Sequence, residues 1–406
     1  MHDVAVFGAW ILLVASAVAV ALFTTKLAER TSVPFAAPFL VIAAVASDIF
    51  PSLDVSTATV VRVATVALIV ILFDGGLGIG WRRLRYSLVP VASLGVLGTF
   101  ATAGGMALFA HWALGFDWTS AGLLGAAIAP TDPAVMFSVL GDRDVAGRTG
   151  TILKGESGAN DPVGIALMIG MIELATHADA SFWIVVREFV LEMSIGLAVG
   201  AAGGLLILQA IKRVSLPSPG LYTLRGLAGA GIVYGVASVA HGSGFLAVFV
   251  AGLVVGDVRA PFRAEIGIFQ EALSSLAEIV VFGVLGLTIT ISSVAGDVWG
   301  DGLLLAAVLA LLVRPLVVAT LLAPARLRHG ERAFVAWGGL KGAVPILLAA
   351  FAVQRDIPVA NRIFELVFVV VLASVLVQGT TIPFAARRLG IRMHRLASRA
   401  QHEIQS

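Results

Sequence analysis

Cysteine is absent from all 406 residues, so disulfides, thiolate metal sites and a cysteine nucleophile are excluded. Charge is scarce as well. Asp, Glu, Lys and Arg make up 13% of the chain, about half of what a soluble domain carries. No His-Glu-x-x-His run and no glycine-rich loop leading into Lys-Ser/Thr occurs, which removes the zinc-hydrolase and nucleotide-driven-pump motifs. The formal net charge is only +2, so no basic surface for nucleic acid is suggested. No cofactor and no enzymatic activity are implied.

What fills the chain is apolar: 59% hydrophobic residues, arranged in runs of membrane-spanning length that recur throughout. The pattern predicts an all-α integral membrane protein with about thirteen transmembrane helices. They fall near 4–25, 33–48, 58–80, 86–113, 118–140, 149–175, 182–211, 221–241, 243–257, 264–290, 301–323, 333–353 and 360–386. The first run follows His2 and Asp3 rather than Lys or Arg and has no clear small-residue cleavage site, so it reads as a retained span and not a signal peptide.

Basic residues alternate sharply between the loops. After odd-numbered spans come Lys26 and Arg30; Arg82, Arg83 and Arg85; Arg143 and Arg148; Lys212, Arg213 and Arg225; Arg259 and Arg263; Arg326, Arg328 and Arg332. Arg387, Arg388, Arg392, Arg395 and Arg399 follow in a basic tail, 387–406, after which no soluble domain is read. Loops after even-numbered spans hold only Arg355 and Arg362. This asymmetry puts the N-terminus outside and the C-terminus in the cytoplasm.

Two spans are interrupted. Span five contains Ala129-Pro130-Thr131-Asp132-Pro133, and span twelve contains Gly338-Gly339-Leu340-Lys341-Gly342-Ala343-Val344-Pro345. Proline at these places unwinds a helix and frees carbonyls, Ala129 by Pro133 and Lys341 by Pro345. Unwound backbone at membrane depth survives only where protein or a water-lined cavity covers it. The breaks lie seven spans apart on helices of opposite direction, as two inverted six-helix repeats joined by span seven would give, with broken helices that cross. An acid at one break, Asp132, and a base at the other, Lys341, would balance the half-charges of the helix ends.

Span six carries Lys154-Gly155-Glu156-Ser157-Gly158-Ala159-Asn160-Asp161-Pro162 inside an otherwise apolar run. Ionisable groups at bilayer depth cost at least ~2.5–3.5 kcal/mol each on insertion scales and usually line a pathway. On a helix, Glu156/Asn160 and Ser157/Asp161 are i,i+4 pairs, and Pro162 leaves the Gly158 carbonyl free beside Asp161. These are hard oxygen ligands suited to an alkali cation. Each has a structural reading too. Glu156 fits an ion pair, Asp132 a helix-end charge, Thr131 a cap, Ser157 a bond to its own backbone, and Asp74 a solvated acid. Glu278 and Arg314 also lie at membrane depth and could pair with one another.

These motifs resemble the monovalent cation/proton antiporter superfamily, in the branch that holds NhaP-like sodium/proton antiporters and potassium/proton antiporters of the cell-volume-regulation-protein-A type. The matching stretches are Leu72-Phe73-Asp74-Gly75-Gly76-Leu77, Thr131-Asp132-Pro133, Gly155 to Pro162, and Gly339 to Pro345; the wording leans toward the potassium type. The resemblance implies a multi-pass protein of a bacterial or archaeal plasma membrane that works as a homodimer by alternating access. It would have a dimerisation domain (1–80 and 221–290), a core transport domain (86–175 and 301–386) and a linker helix (182–211). It further implies that Asp161 is the shared cation and proton carboxylate, with Thr131 and Ser157 as cation ligands and Asn160 orienting the site. Asp132 would sit at the break and Asp74 at the cytoplasmic mouth. Glu156 would pair with Lys341, at a position where arginine is the family's expected residue, with Lys154 as a competitor, while Arg314 would support the core domain.

If Asp161 holds either a proton or a dehydrated cation and never both, one-for-one electroneutral exchange follows. Rival readings are a cation channel and another secondary solute transporter, although no aromatic or apolar pocket for a carbon skeleton is apparent. Gly155-Glu156-Ser157-Gly158 with His241 also matches the pattern of an intramembrane serine protease, a remote alternative.

Overall fold

A computed structural model describes Gly8, Ser16, Ala19, Pro34 and residues 36–49, 55–140, 143–177, 182–257 and 263–395. Most of the first expected span and the end of the basic tail lie outside the described residues. The helices are α1 (Ala36–Ile49), α2 (Thr57–Ile79), α3 (Leu88–Leu114), α4 (Trp118–Ile128), α5 (Pro133–Leu140), α6 (Gly147–Thr176) and α7 (Phe182–Arg213). They continue as α8 (Pro219–Val239), α9 (Gly244–Gly256), α10 (Arg263–Gly286), α11 (Gly296–Leu321), α12 (His329–Trp337), α13 (Ala343–Gln354) and α14 (Ala360–Arg388).

Within the described residues, six helices are long and apolar enough to cross a membrane: α2, α3, most of α7 and α10, α11 and α14. Four shorter apolar helices accompany them: the greater part of α1, then α4, α9 and α13. α6 is absent from both groups for a chemical reason. Its 30 residues reach about 45 Å at 1.5 Å per residue, but it carries Lys154, Glu156 and Asp161 in its first half.

Three helix ends depart from the sequence boundaries by four or five residues, the first being the start of α12 at His329 rather than 333. α10 stops at Gly286 rather than near 290, where the Thr288 hydroxyl donates to the Leu285 carbonyl at 2.7 Å and ends the ladder. α11 begins at Gly296 rather than 301, with Asp297 in its first turn, where a carboxylate favours the positive helix end. Arg225, counted above as a loop residue, lies in α8 and donates to the Ala210 and Val214 carbonyls at the end of α7. A small antiparallel sheet was not anticipated. β1 (Arg143–Val145) pairs with β2 (Met393–Arg395), and three-residue strands carry no alternation to read.

α2 packs against α9 and α10, α10 against α1, and α9 against α7 and α8. Separately, α3 packs on α4, α4 on α6 and α13, and α14 on α11 and α13. Both interruptions are real. α4 ends at Ile128 and α5 starts at Pro133; α12 ends at Trp337 and α13 starts at Ala343. The Asp132 amide donates to the Leu340 carbonyl at 2.7 Å, so the two unwound segments cross in contact. Wide π turns occupy Ser93–Gly98 in α3, Leu309–Val313 in α11 and Ser374–Gly379 in α14. Such turns shift the side chains that follow around the helix, and the second immediately precedes Arg314.

α2 and α9 approach backbone to backbone. A Cβ at Gly252 would lie 2.5 Å from the Phe73 carbonyl oxygen and 3.1 Å from the Gly76 Cα. Small residues permit such crossings in membrane bundles. Gly252→Val is expected to destabilise by about 1–3 kcal/mol through overpacking, seen as a lower melting temperature in detergent. Gly231→Ala, where no heavy atom lies within 4 Å, should melt at or above wild type.

Candidate functional site

The crossing point collects the charges of both breaks. Asp132 accepts from the Ala134 amide at 2.9 Å, capping α5. Its carboxylate also lies against Gly342, where any Cβ would collide with it, just before the first turn of α13. Lys341 is almost wholly buried, and its Nζ donates to the Ala129 and Pro130 carbonyls, at 2.8 and 2.9 Å, beyond the end of α4. An anion therefore faces helix starts and a cation faces a helix end, as the macrodipole favours.

The Lys341 backbone is held in turn by α14. Its amide donates to Ser374 Oγ at 2.9 Å, Ser374 Oγ donates to Gln378 Oε1 at 2.7 Å, and Gln378 Nε2 donates to the Trp337 carbonyl at 3.3 Å. Sequence reading missed this pair. Its signal was two buried polar residues at i,i+4 in an apolar run.

The expected Glu156–Lys341 pair does not form. Glu156 takes a bidentate bond from Arg314, Nη1 to Oε1 at 2.5 Å and Nη2 to Oε2 at 2.9 Å, with both residues buried. A guanidinium matches a carboxylate with two parallel bonds, whereas an ammonium does not, and Lys341 is engaged by carbonyls instead. The same pairing excludes the suggested Glu278–Arg314 bridge. Lys154 does not compete for Glu156 either: it bonds Asp144 at 2.7 Å and stands over the Phe137 ring.

Asp161, 5% exposed, is left over. Its Oδ1 has no hydrogen-bond partner among the described residues, and neither has Asn160 Oδ1. Asn160 Nδ2 donates to Thr131 Oγ1 at 2.8 Å, tying α6 to the first break. A cavity of about 210 Å³ reaches Asp161. Its wall includes Asp132, Ser157 and Asp161, together with Asp74, Lys154 and Glu278. Thr131 and Asn160 are not on that wall. They pair with each other beside it.

Counting formal charges at the crossing, the three acids Asp132, Glu156 and Asp161 outnumber the two bases Arg314 and Lys341 by one negative charge. The set is neutral only with one further positive charge, which a proton or a monovalent cation supplies. Among the described residues no group of three or more His, Cys, Asp or Glu side chains has the geometry of a metal site.

Breaking the buried pair should be costly. Arg314→Ala leaves an uncompensated carboxylate and is expected to lose about 3–5 kcal/mol. The double change Glu156→Gln with Arg314→Met should lose much less, as a double-mutant cycle of detergent melting temperatures would reveal.

A profile of the family described as "Sodium/hydrogen exchanger, transmembrane" matches residues 11–388. The chain is 33% identical over 376 residues to the K(+)/H(+) antiporter NhaP2 of Shewanella sp. (strain ANA-3), covering 91% of this chain and 65% of that one. It is 34% identical over 380 residues to the K(+)/H(+) antiporter NhaP of Alkalimonas amylolytica, covering 92% and 66%. It is 28% identical over 353 residues to the Na(+)/H(+) antiporter ApNhaP of Aphanothece halophytica, covering 82% and 66%. The chain thus spans about two thirds of the length of these curated relatives. In fold it is similar to the sodium proton antiporter MjNhaP1 of Methanocaldococcus jannaschii, with a TM-score of 0.79 at 22% identity, over 93% of this chain and 98% of that one. On this match over nearly its whole length, the chain is a membrane protein that belongs to the transmembrane sodium/hydrogen exchanger family.

Proposed function

We propose that this chain exchanges protons for a monovalent alkali cation across the membrane by competition at Asp161. The observation that carries the reading is the buried Asp161 carboxylate with an unpartnered oxygen on the wall of a cavity. A proton or an alkali ion satisfies it, and the two exclude each other. Ser157 and Asp132, on the same wall, supply further oxygens. Asn160 and Thr131 hold the break in register through their mutual hydrogen bond. The names of the relatives at 33 and 34% identity favour potassium as the cation.

In this reading thirteen spans form two inverted repeats, and the helices divide into a scaffold (1–80 and 221–290) and a transport core (86–175 and 301–386), linked by 182–211. The packing groups described above and the crossing breaks support that division. The cavity lies at the seam, with α2, α9 and α10 on one side and the crossing segments with α6 on the other. It extends toward Gly78 and the partly exposed Lys154, beside the arginines at 82, 83 and 85. The positive-inside asymmetry makes this the cytoplasmic end, which makes the conformation inward-facing. A homodimer in a prokaryotic plasma membrane completes the proposal on family grounds.

In proteoliposomes with an acid interior and a trapped pH dye, potassium or sodium is expected to dissipate the gradient. Asp161→Asn should abolish the response and choline should give none. A folded protein indifferent to every alkali cation would sink the proposal. Unitary currents in place of coupled flux would move a channel to the front.

Competition also sets a pH dependence. With Asp161 shared, lowering the pH on the cation side should raise the apparent KM for the cation while leaving the rate at saturating cation nearly unchanged. Because one charge replaces one charge, a membrane potential clamped by an ionophore should not drive net flux. Flux that follows the potential contradicts one-for-one exchange.

A further inference from the structure

The cavity below Asp161 has two unlike walls. One belongs to the crossing segments and α6 and carries Asp132, Ser157 and Asp161. The other belongs to α2 and α10 and carries Asp74, Ser274 and Glu278. Glu278 lies two turns before the end of α10, and its helix neighbours Ala277, Val281, Phe282 and Leu285 are buried and apolar. A carboxyl kept at such depth is costly unless it is paired or serves an ion path.

No structural partner accounts for it. Among the described residues Glu278 takes part in none of the ion pairs. The basic side chains within the site are all engaged: Arg314 by Glu156, Lys341 by two carbonyls, and Lys154 by Asp144. On the cavity wall with Glu278 stand three other acids, Asp74, Asp132 and Asp161. Ser274 lines the same wall as Asp74, and Lys154 is the one basic side chain on the cavity. The cavity thus holds more carboxyl groups than fixed cations. At its inner end the buried, unpartnered Asp161 Oδ1 independently calls for a positive ligand.

We propose that Glu278 is a cation-capturing carboxylate on the scaffold wall, holding the alkali ion with Asp74 and Ser274 before it passes to Asp161. The inference rests on the exchange reading above and deepens it by adding a subsite outside the crossing. Asp132, Ser157 and Asp161 belong to the core, which moves in that reading, whereas Glu278 stays with α10. Glu278 therefore meets the ion only while the cavity reaches Asp161, and has no part when Asp161 faces the other side of the membrane.

The consequence is an effect confined to one side. Cation-driven proton flux would be measured in inside-out and right-side-out vesicles for wild type, Glu278→Gln and Glu278→Asp. For Glu278→Gln the apparent KM is expected to rise about tenfold when the cation is presented on the cavity side. It should be unchanged from the opposite side, with the saturated rate held within about twofold. Glu278→Asp keeps the charge and should recover most of the affinity. A KM that is unchanged, or raised equally on both sides, overturns the proposal, as does a loss of rate alone.

Should Glu278→Gln fail to reach the membrane, the wild-type protein gives a second measurement. Labelling with a hydrophobic carbodiimide, mapped by peptide mass, is expected at Glu278 and should be suppressed by saturating potassium or sodium. Equal labelling with and without the cation, including none, overturns the proposal. Wild-type vesicles without any cation-driven proton flux would sink the exchange reading itself, an outcome distinct from failure of the Glu278 subsite alone.

Discussion

Charges buried at bilayer depth must be neutralised locally, because no water is there to screen them. The arrangement around the two breaks follows from that constraint. Arg314 closes on Glu156, Lys341 closes on the carbonyls of Ala129 and Pro130, and Asp132 sits at the starts of α5 and α13. The unwound segments would otherwise leave bare carbonyls and amides inside the bundle, each costing free energy. The interruption of two helices and the presence of buried charge are one feature: the charges satisfy the ends that the prolines and glycines create.

The charges are also crossed between the halves of the chain. Lys341, at the second break, serves the end of α4 at the first, and the Asp132 amide meets the Leu340 carbonyl. Residues more than 200 positions apart are thereby fixed together. α14 adds Ser374 and Gln378 behind Lys341, as α6 adds Asn160 behind Thr131. Each break is braced by a polar side chain from another helix, and the two braces differ in chemistry: an amide to a hydroxyl on one side, a hydroxyl and an amide to backbone on the other.

Much of this was legible in the sequence, for stated reasons. Apolar runs and the distribution of arginine are strong one-dimensional signals, and the helix bounds from residue 36 onward follow them closely. Proline and glycine announce a break at the residue where it occurs. Which acid meets which base was not legible, since Glu156 and Arg314 are 158 positions apart and a π turn over Leu309–Val313 helps to aim Arg314. Lys341 was misassigned because its place near Glu156 in the resemblance outweighed its better use, as an ammonium donating to two free carbonyls. Glu278 stood out as a charge in an apolar helix, but only the packing of α2 and α10 against the crossing puts it on the cavity of Asp161. The β1–β2 pairing joins two segments that read only as loops.

The same balance suggests why coupling would be tight in the proposed cycle. With Glu156 matched by Arg314, and with three acids set against two bases overall, the charge of the crossing is set by what Asp161 carries. Loaded with a proton or with an alkali ion, the segments are neutral and can pass the apolar part of the seam, formed by such residues as Phe249 and Phe282. Empty, they carry a net negative charge into that seam, which is strongly unfavourable in a low-dielectric interior. Movement without cargo is thus opposed by the same electrostatics that build the site. No separate lock is required, and loss of Arg314 or Lys341 would weaken the coupling as well as the fold.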